Sequence, residues 1–558
     1  MEKRVVIFLV LSLAVILGYD LLLKQLGLLP APPETVQGPP AETTAPPSGV
    51  SDSPSPSAGD RTASSANAET SPRQASSSEQ AQVTEQTVVI ETDVIRVGLQ
   101  ARGGVISSWE LKRHLTAAPE QEPVQLVHQG AKFKEPLSLS TADAATEKVL
   151  RDGLYAIDTD FTSLDSGHPV GHATLRFRNS ASGLTVLKRL TFHQGSYLVD
   201  VAVTVEGLTG AYDIVLGTNF GIVEWGDGFI GLIGSASMVD GKVEKETPDK
   251  EKEIERKGAV QWVALQDKYF LSVLMPQNAN ATWAKKEEVD KLVSAGVRMP
   301  PVGAGATTSL QLYAGPKEYD TLRSLNVGLE ETIDFGWFIF GSWSVVKAVA
   351  KPIFYVLRFI NEYTHNYGVT IILLTMGIKL LFVPLQFKSY KSMKQMQMIQ
   401  PKVLGLQEKF KDDRDKLNKE LIRLYRDHKV NPVGGCLPMI LQMPVFVALF
   451  NILYMTIDLR QAPFFGWITD LSVQDPYYVL PIIMGVTMVI QQKITPTTMD
   501  PTQAKVMLVL PVFMTFLFVN FPAGLVLYWL TNNMLTIGQQ VLTDRLYSNR
   551  PFIIEPSK

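Results

Sequence analysis

The chain has 558 residues, 46% hydrophobic and 19% charged, with a formal net charge of −3. A balance this near neutral carries no electrostatic footprint for nucleic acid, and a single cysteine, Cys436, excludes an internal disulfide framework. The apolar residues are unevenly spread: long uncharged runs lie at the extreme N-terminus and after Tyr367, with sequence of soluble character between them.

Glu2, Lys3 and Arg4 precede an apolar stretch from Val5 to about Leu23, broken only by Asp20. A basic flank before a hydrophobic run marks a cleaved signal peptide or an uncleaved signal anchor. No small-x-small cleavage site is present after it, and Leu21 to Leu23 extend the run toward spanning length. Residues 1–28 are therefore expected to anchor the chain, with the basic end cytoplasmic and the chain beyond the anchor exported. Residues 29–86 are rich in Pro, Ser, Ala, Thr and Gln. So little apolar material cannot offset the entropy of ordering, which predicts a disordered tether.

From residue 87 to 325 the pattern changes to period two. Thr87–Val97, Ala173–Arg178 and Tyr197–Val205 alternate as half-buried strands do, with Gly, Asn and Asp clusters as punctuation. This predicts one large antiparallel β-sandwich, exported by topology. Residues 337–366 mix Trp, Phe and Val with Lys347, Lys351 and Arg358, too charged to span, and predict an amphipathic helix on the outer membrane surface.

Five spans are expected between residues 367 and 546. Gly368–Phe387 is apolar except for Lys379, Gly434–Ile457 is uncharged, and Tyr477–Gln492 is short. Val506–Thr543 is uncharged over 38 residues, enough for two spans, with Asn520 to Gly524 as the turn between them. The basic residues agree. Lys388–Lys429 holds twelve Lys/Arg against six Asp/Glu and reads as cytoplasmic, whereas Asp458–Pro476 has one Arg against three Asp and reads as outside. Residues 547–558 then form a short cytoplasmic tail.

Recognisable catalytic chemistry is scarce. Gly226–Gly231 matches the GxGxxG dinucleotide pattern, but in β-rich sequence without the required strand–helix context it reads as a turn. His168 and His172 are four apart, yet Pro169 and Gly171 oppose the helix that would align them on a metal, and a surface loop is the reading. Cys436 lies in an apolar run and reads as a small buried hydrophobe. No phosphate loop, HExxH or GxSxG occurs, so no cofactor, metal or catalytic residue is expected and the chain does not read as an enzyme.

Lys379 is the exception. A lysine in mid-membrane costs about 2.5–3.5 kcal/mol and usually faces a partner or water. Snorkelling to Phe387 would have to cover roughly 12 Å along the helix, further than the stem comfortably reaches. No carboxylate stands in the other four expected spans, so a water-filled cavity is the preferred reading. Thr375, Gln442, Asn451, Thr515 and the cluster Thr531, Asn532 and Asn533 could line it, although ordinary interhelical hydrogen bonds are the simpler account of most. The segment 388–431 reads as an antiparallel helical hairpin, with Leu417, Leu421 and Leu424 as one stripe. Its Met393, Met396 and Met398 offer adaptable apolar surface to a partner, with packing in the hairpin's own core under a solvated charged face as the equal alternative.

Four runs become specific together: Asn431–Phe446, Leu459–Pro463, Asp475–Met488 and Gly524–Trp529. They closely resemble the YidC family of membrane protein insertases, over a core from about Gly341 to Leu546. The anchor and large exported domain resemble its Gram-negative branch. The resemblance implies a polytopic α-helical inner-membrane protein with both termini cytoplasmic and a large periplasmic β-sandwich. Its five-helix core would enclose a hydrophilic groove open to cytoplasm and lipid and closed to the outside. The groove cation, normally Arg, falls on Lys379, which keeps the charge but loses the planar bidentate fork. Polar and aromatic groove positions fall on Thr375, Gln442, Tyr528 and Trp529. Implied partners are newly made membrane proteins, the lipid bilayer, the Sec translocon, the ribosome and the signal recognition machinery, with no direct nucleic-acid contact. The exported domains of the family resemble sugar-binding sandwiches, but no carbohydrate-chemistry constellation is present here. The rival readings are a secondary transporter using Lys379 as substrate or proton site, which would call for internal repeats, and a membrane-anchored envelope enzyme.

Overall fold

The computed structural model describes residues 85–116, 120–208, 210–223, 233–246, 253–287, 291–301, 306–333, 344–410, 413–428, 430, 437–495 and 509–548. The expected anchor, nearly all of the tether, Gly226–Gly231, Cys436 and residues 549–558 of the tail lie outside the described residues.

The first half is built of antiparallel strands in three sheets. β1 (Thr87–Glu91), β2 (Ile95–Gln100), β3 (Val105–Leu115) and β4 (Pro123–Gln125) form a small sheet in chain order. The stretch read as one strand over Thr87–Val97 is a tight hairpin. The Thr92 hydroxyl accepts from the Val94 and Ile95 amides and turns the chain back on itself.

A nine-stranded sheet comes next. Its members are β6 (Ala156–Thr159), β7 (Val170–Asn179), β8 (Leu184–His193), β9 (Leu198–Glu206), β11 (Gly234–Val239), β12 (Lys242–Glu246), β14 (Val260–Gln266), β15 (Phe270–Pro276) and β18 (Thr307–Pro316). Their order is β12–β11–β14–β15–β18–β9–β8–β7–β6. A five-stranded sheet of β5 (Leu139–Thr141), β10 (Tyr212–Thr218), β13 (Glu253–Lys257), β16 (Ala281–Lys286) and β17 (Val293–Met299) packs against it, completing a sandwich with one apolar core. The third sheet is docked on by Trp109, whose indole N–H donates to the Ala314 carbonyl at 3.0 Å. That core runs past residue 325 to Leu329, in a 3-10 turn over Leu329–Thr332. The histidines read as a loop are divided: His168 closes a turn on Asp165, whereas His172 lies within β7 beside the Thr191 hydroxyl.

Along β8 the alternation places Leu184, Val186, Lys188, Leu190 and Phe192 in the buried row. Lys188 is 0% exposed, and its ammonium donates to the carbonyls of Gly104 (2.8 Å), Leu137 (2.9 Å) and Gly103 (3.2 Å). Burial pushes its pKa down to about 7, while three acceptors match the three N–H groups of the protonated form. Gly103 and Gly104 turn β2 into β3, and Leu137 leads into β5, so one side chain ties together all three sheets. Gly104 has φ +58°, and a Cβ there would strike the Tyr155 ring.

The second half is helical. After α1 (Ala144–Asp152) and α2 (Tyr319–Ser324) come α3 (Ser344–Thr364), α4 (Tyr367–Lys409), α5 (Arg414–Asp427), α6 (Leu437–Met455), α7 (Val479–Ile494), α8 (Val509–Phe518) and α9 (Ala523–Ser548). Among the described residues only α4 is long and apolar enough to cross a membrane by that measure alone, while α7, α8 and the apolar part of α6 are shorter. α4 also runs through the expected span boundary at Phe387 and on to Lys409, with Pro384 and Pro401 inside it.

α3 buries Val346, Ala350, Phe354 and Leu357 against the helical core and exposes a second apolar stripe, Tyr355, Val356, Phe359 and Tyr363. Two joints tie it and α6 to the β-domain. In one, the hydroxyls of Tyr319 and Tyr355 are 2.8 Å apart and Arg358 pairs with Asp320 at 2.6 Å. In the other, Lys268 sits 3.7 Å over the Tyr454 ring, Arg460 lies 5.3 Å from the Phe270 ring centre, and the Gln461 amide donates to the Leu115 carbonyl at 2.9 Å.

Candidate functional site

The Asn366 side chain caps α4 by accepting from the Val369 amide, fixing where the helix begins and so which face Lys379 takes. Lys379 is 7% exposed. Its ammonium donates to the Thr536 hydroxyl on α9 at 2.8 Å, and that hydroxyl in turn donates to the Asn532 carbonyl at 2.6 Å. Among the described residues that hydroxyl is the one hydrogen-bond partner of the lysine, which leaves two N–H groups over.

Thr375, one turn before Lys379, is buried and donates to its own helix at Ile371. Gln442 is half-buried on α6. Asn533 reaches Thr487 on α7 at 3.3 Å, and Gln540 reaches Thr495 just beyond it at 2.9 Å. Thr515 is taken up by the Pro511 carbonyl of α8. Tyr528 and Trp529 lie elsewhere. They pack on Phe446, with ring centres 6.1 and 5.0 Å away, and Trp529 also meets Phe518 at 4.8 Å. Eight residues, or about 12 Å of helix, separate Tyr528 from Thr536. The site is thus layered, with an aromatic cluster toward the start of α9 and a polar layer around Lys379.

Below that layer, Asp544 on α9 accepts from the Tyr390 phenol of α4, and Lys394 stands 3.2 Å from the same carboxylate. α5 folds back along α4 through Met396, Ile399, Tyr425 and Val430. Of the three methionines proposed as partner surface, Met396 is buried in that seam and Met393 is half-buried, so Met398, 48% exposed, is the one presented.

Sequence reasoning missed Thr536, Tyr390 and Asp544. A signal for Thr536 existed: Asn532, Thr536, Gln539 or Gln540 and Thr543 recur at helical spacing along one side of α9. Among the described residues no group of three or more His, Cys, Asp and Glu could hold a metal ion.

Comparison with known proteins joins the two halves. Residues 87–356 match the family described as YidC periplasmic domain, and residues 359–550 match the 60Kd inner membrane protein family. The membrane protein insertase YidC of Syntrophus aciditrophicus (strain SB) is 38% identical over 561 residues, covering 98% of this chain and 100% of that protein. Its counterpart in Geotalea daltonii is 40% identical over 493 residues, covering 84% and 89%. A crystal structure of an active YidC insertase with its first transmembrane domain resolved covers 82% of this chain and 92% of that chain, at 16% identity and a TM-score of 0.36. With its full length matched at this identity, the chain belongs to the YidC family of membrane protein insertases.

Proposed function

We propose that Lys379, with Thr536, Thr375 and Gln442 around it, holds the polar flank of a client part-way across the inner membrane while the client's apolar segment passes into lipid. The observation that carries this reading is the unsaturated ammonium: a buried cation with one protein acceptor has donors left for water or a client carboxylate. Tyr528 and Trp529 act in this reading as the seal toward the outside. Exposed apolar side chains on α6 (Leu441, Met443) and α8 (Val509, Val512, Phe516) offer the face along which the client segment leaves.

The topology that goes with it has an anchor in residues 1–28, a periplasmic domain over 87–325, five spans within 367–546 and both termini in the cytoplasm. The hairpin 388–431 then faces the cytoplasm, where the ribosome, the signal recognition machinery and the Sec translocon would deliver clients, with Met398 on the presented surface.

No external energy source is required. Each Leu, Ile, Phe or Val entering the bilayer contributes about −0.3 to −0.6 kcal/mol, so a client span gains several kcal/mol in lipid. The barrier is the desolvation of its polar flank, and a wet half-channel with one cation lowers it. Photocrosslinking tests the reading, with the probe placed at position 442 or 536 and, as control, at the lipid-exposed position 381. Stalled nascent clients should crosslink strongly from 442 and 536 and weakly from 381. Equal yields from all three would overturn the groove.

A further inference from the structure

We propose that Tyr390, Lys394 and Asp544 form a latch that binds the root of the cytoplasmic hairpin to the C-terminal helix, and that insertion requires it closed. The proposal goes beyond the groove reading, because it concerns how the hairpin is aimed rather than what Lys379 holds.

The latch is a consequence of the continuity of α4. The helix carries the chain without a break from the Asn366 cap to Lys409, Pro384 and Pro401 included, so the first arm of the hairpin is a continuous extension of the membrane helix. From Tyr390 to Lys409 it projects about 28 Å, so a tilt of about ten degrees at the root moves its end by about 5 Å. α5 is packed back on this arm and travels with it. Whatever fixes the root therefore aims the whole hairpin.

Two rungs bind α4 to α9. The first is Lys379 to Thr536 and the second is Tyr390 with Lys394 to Asp544. They are eleven residues apart on α4 and eight on α9, about 16 and 12 Å of rise, as expected of two helices running side by side in the same direction. Tyr390 and Lys394 stand one turn apart on one face and converge on a single oxygen, Oδ1 of Asp544. Asp544 is the sole carboxylate in α9. Tyr390 is 5% exposed, so its hydrogen bond is sheltered, whereas the Lys394–Asp544 pair is about a third exposed and gives the weaker hold. The phenol is the bolt and the ammonium its guide.

The test uses the full-length protein in nanodiscs, with Cys436→Ser as background. Spin labels at Gln407→Cys and Lys493→Cys report the distance from the hairpin arm to α7. The parent should give one narrow distribution. Asp544→Asn should broaden it and lower client insertion at least about tenfold, the lower end of what a hydrogen bond to a charged group is worth in an equilibrium. Asp544→Glu, which keeps the carboxylate, should restore both readings. In Tyr390→Cys with Asp544→Cys, insertion should be poor with free thiols and recover when a short bifunctional thiol crosslinker closes the gap. An unchanged distribution in Asp544→Asn would overturn the proposal, and so would a crosslinked form less active than the free one. Client crosslinking from position 442 that persists in Asp544→Asn would show that the groove stands apart from the latch.

Discussion

Lys188 in the β-domain and Lys379 in the helical core are both buried in apolar settings, and the two are treated in opposite ways. Lys188, in the β-domain, meets three backbone carbonyls, one for each N–H. Lys379, in the helical core, meets one hydroxyl. A buried charge is costly until its hydrogen-bonding capacity is filled. Once it is filled, the group has nothing left to offer a third party. Lys188 is therefore a structural tie, and the reading of Lys379 as a working cation rests on its donors being unfilled. On that reading, what separates the two buried charges is saturation rather than depth.

The largest effect that would test this contrast is on Lys188. Lys188→Met keeps the length of the side chain and leaves three carbonyls without their donor. At roughly 1–3 kcal/mol per unsatisfied group, partly relaxed, the loss is about 3–5 kcal/mol, or about 10 °C in Tm for a domain of this size. Thermal unfolding of the purified protein, followed through the β-domain, would measure it. A Tm unchanged within a degree or two would mean that the carbonyls are indifferent to the amine.

Lys379 should respond in the other currency, with insertion affected and stability little changed. Lys379→Arg should keep function, since either side chain supplies a cation to a wet cavity. Lys379→Glu should slow clients with acidic exported flanks by at least about tenfold, or about 1.4 kcal/mol, through like-charge repulsion in a medium of reduced dielectric. Lys379→Ala should fall between, because Gln442 and Thr536 remain, and clients with neutral flanks should be least affected. Protease protection of one client with acidic and neutralised flanks, against all four proteins, gives the answer. Equal behaviour of Arg and Glu, at normal expression, would remove the charge from the mechanism.

The contrast was half legible in the sequence. Lys379 stood out because a charge in an apolar run is conspicuous, and the strand alternation around β8 was equally visible. Lys188 was not, because in an alternating strand a lysine at a buried position looks like a shift of register; its acceptors are backbone atoms of Gly103, Gly104 and Leu137, far away in the chain and silent in side-chain patterns. Tyr528 and Trp529 fell on groove positions by resemblance, and their ring contacts with Phe446 and Phe518 were not legible, because helix rotation and depth are set by partners that no single run encodes. The hairpin over Thr87–Val97 hid behind its apolar alternation, since one hydroxyl, that of Thr92, is enough to turn it. The joints between the halves were illegible for the same reason as Lys188: Gln461 bonds to a carbonyl some 345 residues away.

A third effect, of intermediate size, lies at the joint itself. His114 stacks edge-on to Phe270, its Nε2 is 3.5 Å from the Tyr197 hydroxyl, and burial, reinforced by Arg460 and Arg113, pushes its pKa down to about 4. The unfolded chain takes up this proton near pH 6.5, the folded one only near 4, so between those values the unfolded state binds more protons. Stability present above pH 6.5 is therefore lost as the pH falls toward 4, by about 2 kcal/mol once partial exposure is allowed for. His114→Gln should flatten the dependence of Tm on pH across that window. Parallel curves for the two proteins would assign the acid sensitivity elsewhere.

The smallest effect should come from the largest change. If the β-domain is a scaffold in which Lys188 does only structural work, its removal should leave insertion largely intact. Excising residues 87–316 removes all three sheets whole, so no strand is left with an unpaired edge. The cut stops before α2 and keeps the Tyr319–Tyr355 and Arg358–Asp320 contacts between α2 and α3, while Val346, Ala350, Phe354 and Leu357 still hold α3 on the helical core. At the other joint Lys268, Phe270 and Leu115 are lost; of their partners Tyr454, Arg460 and Gln461 only Arg460 is charged, and with the β-domain gone it is opened to water, so no charge is stranded in an apolar setting. A small client should therefore insert at close to the parental rate in the excised protein, and still depend on the charge at position 379. Complete loss of insertion, with the shortened protein present in the membrane at normal level, would show that the second joint positions α6, and with it Gln442, from outside.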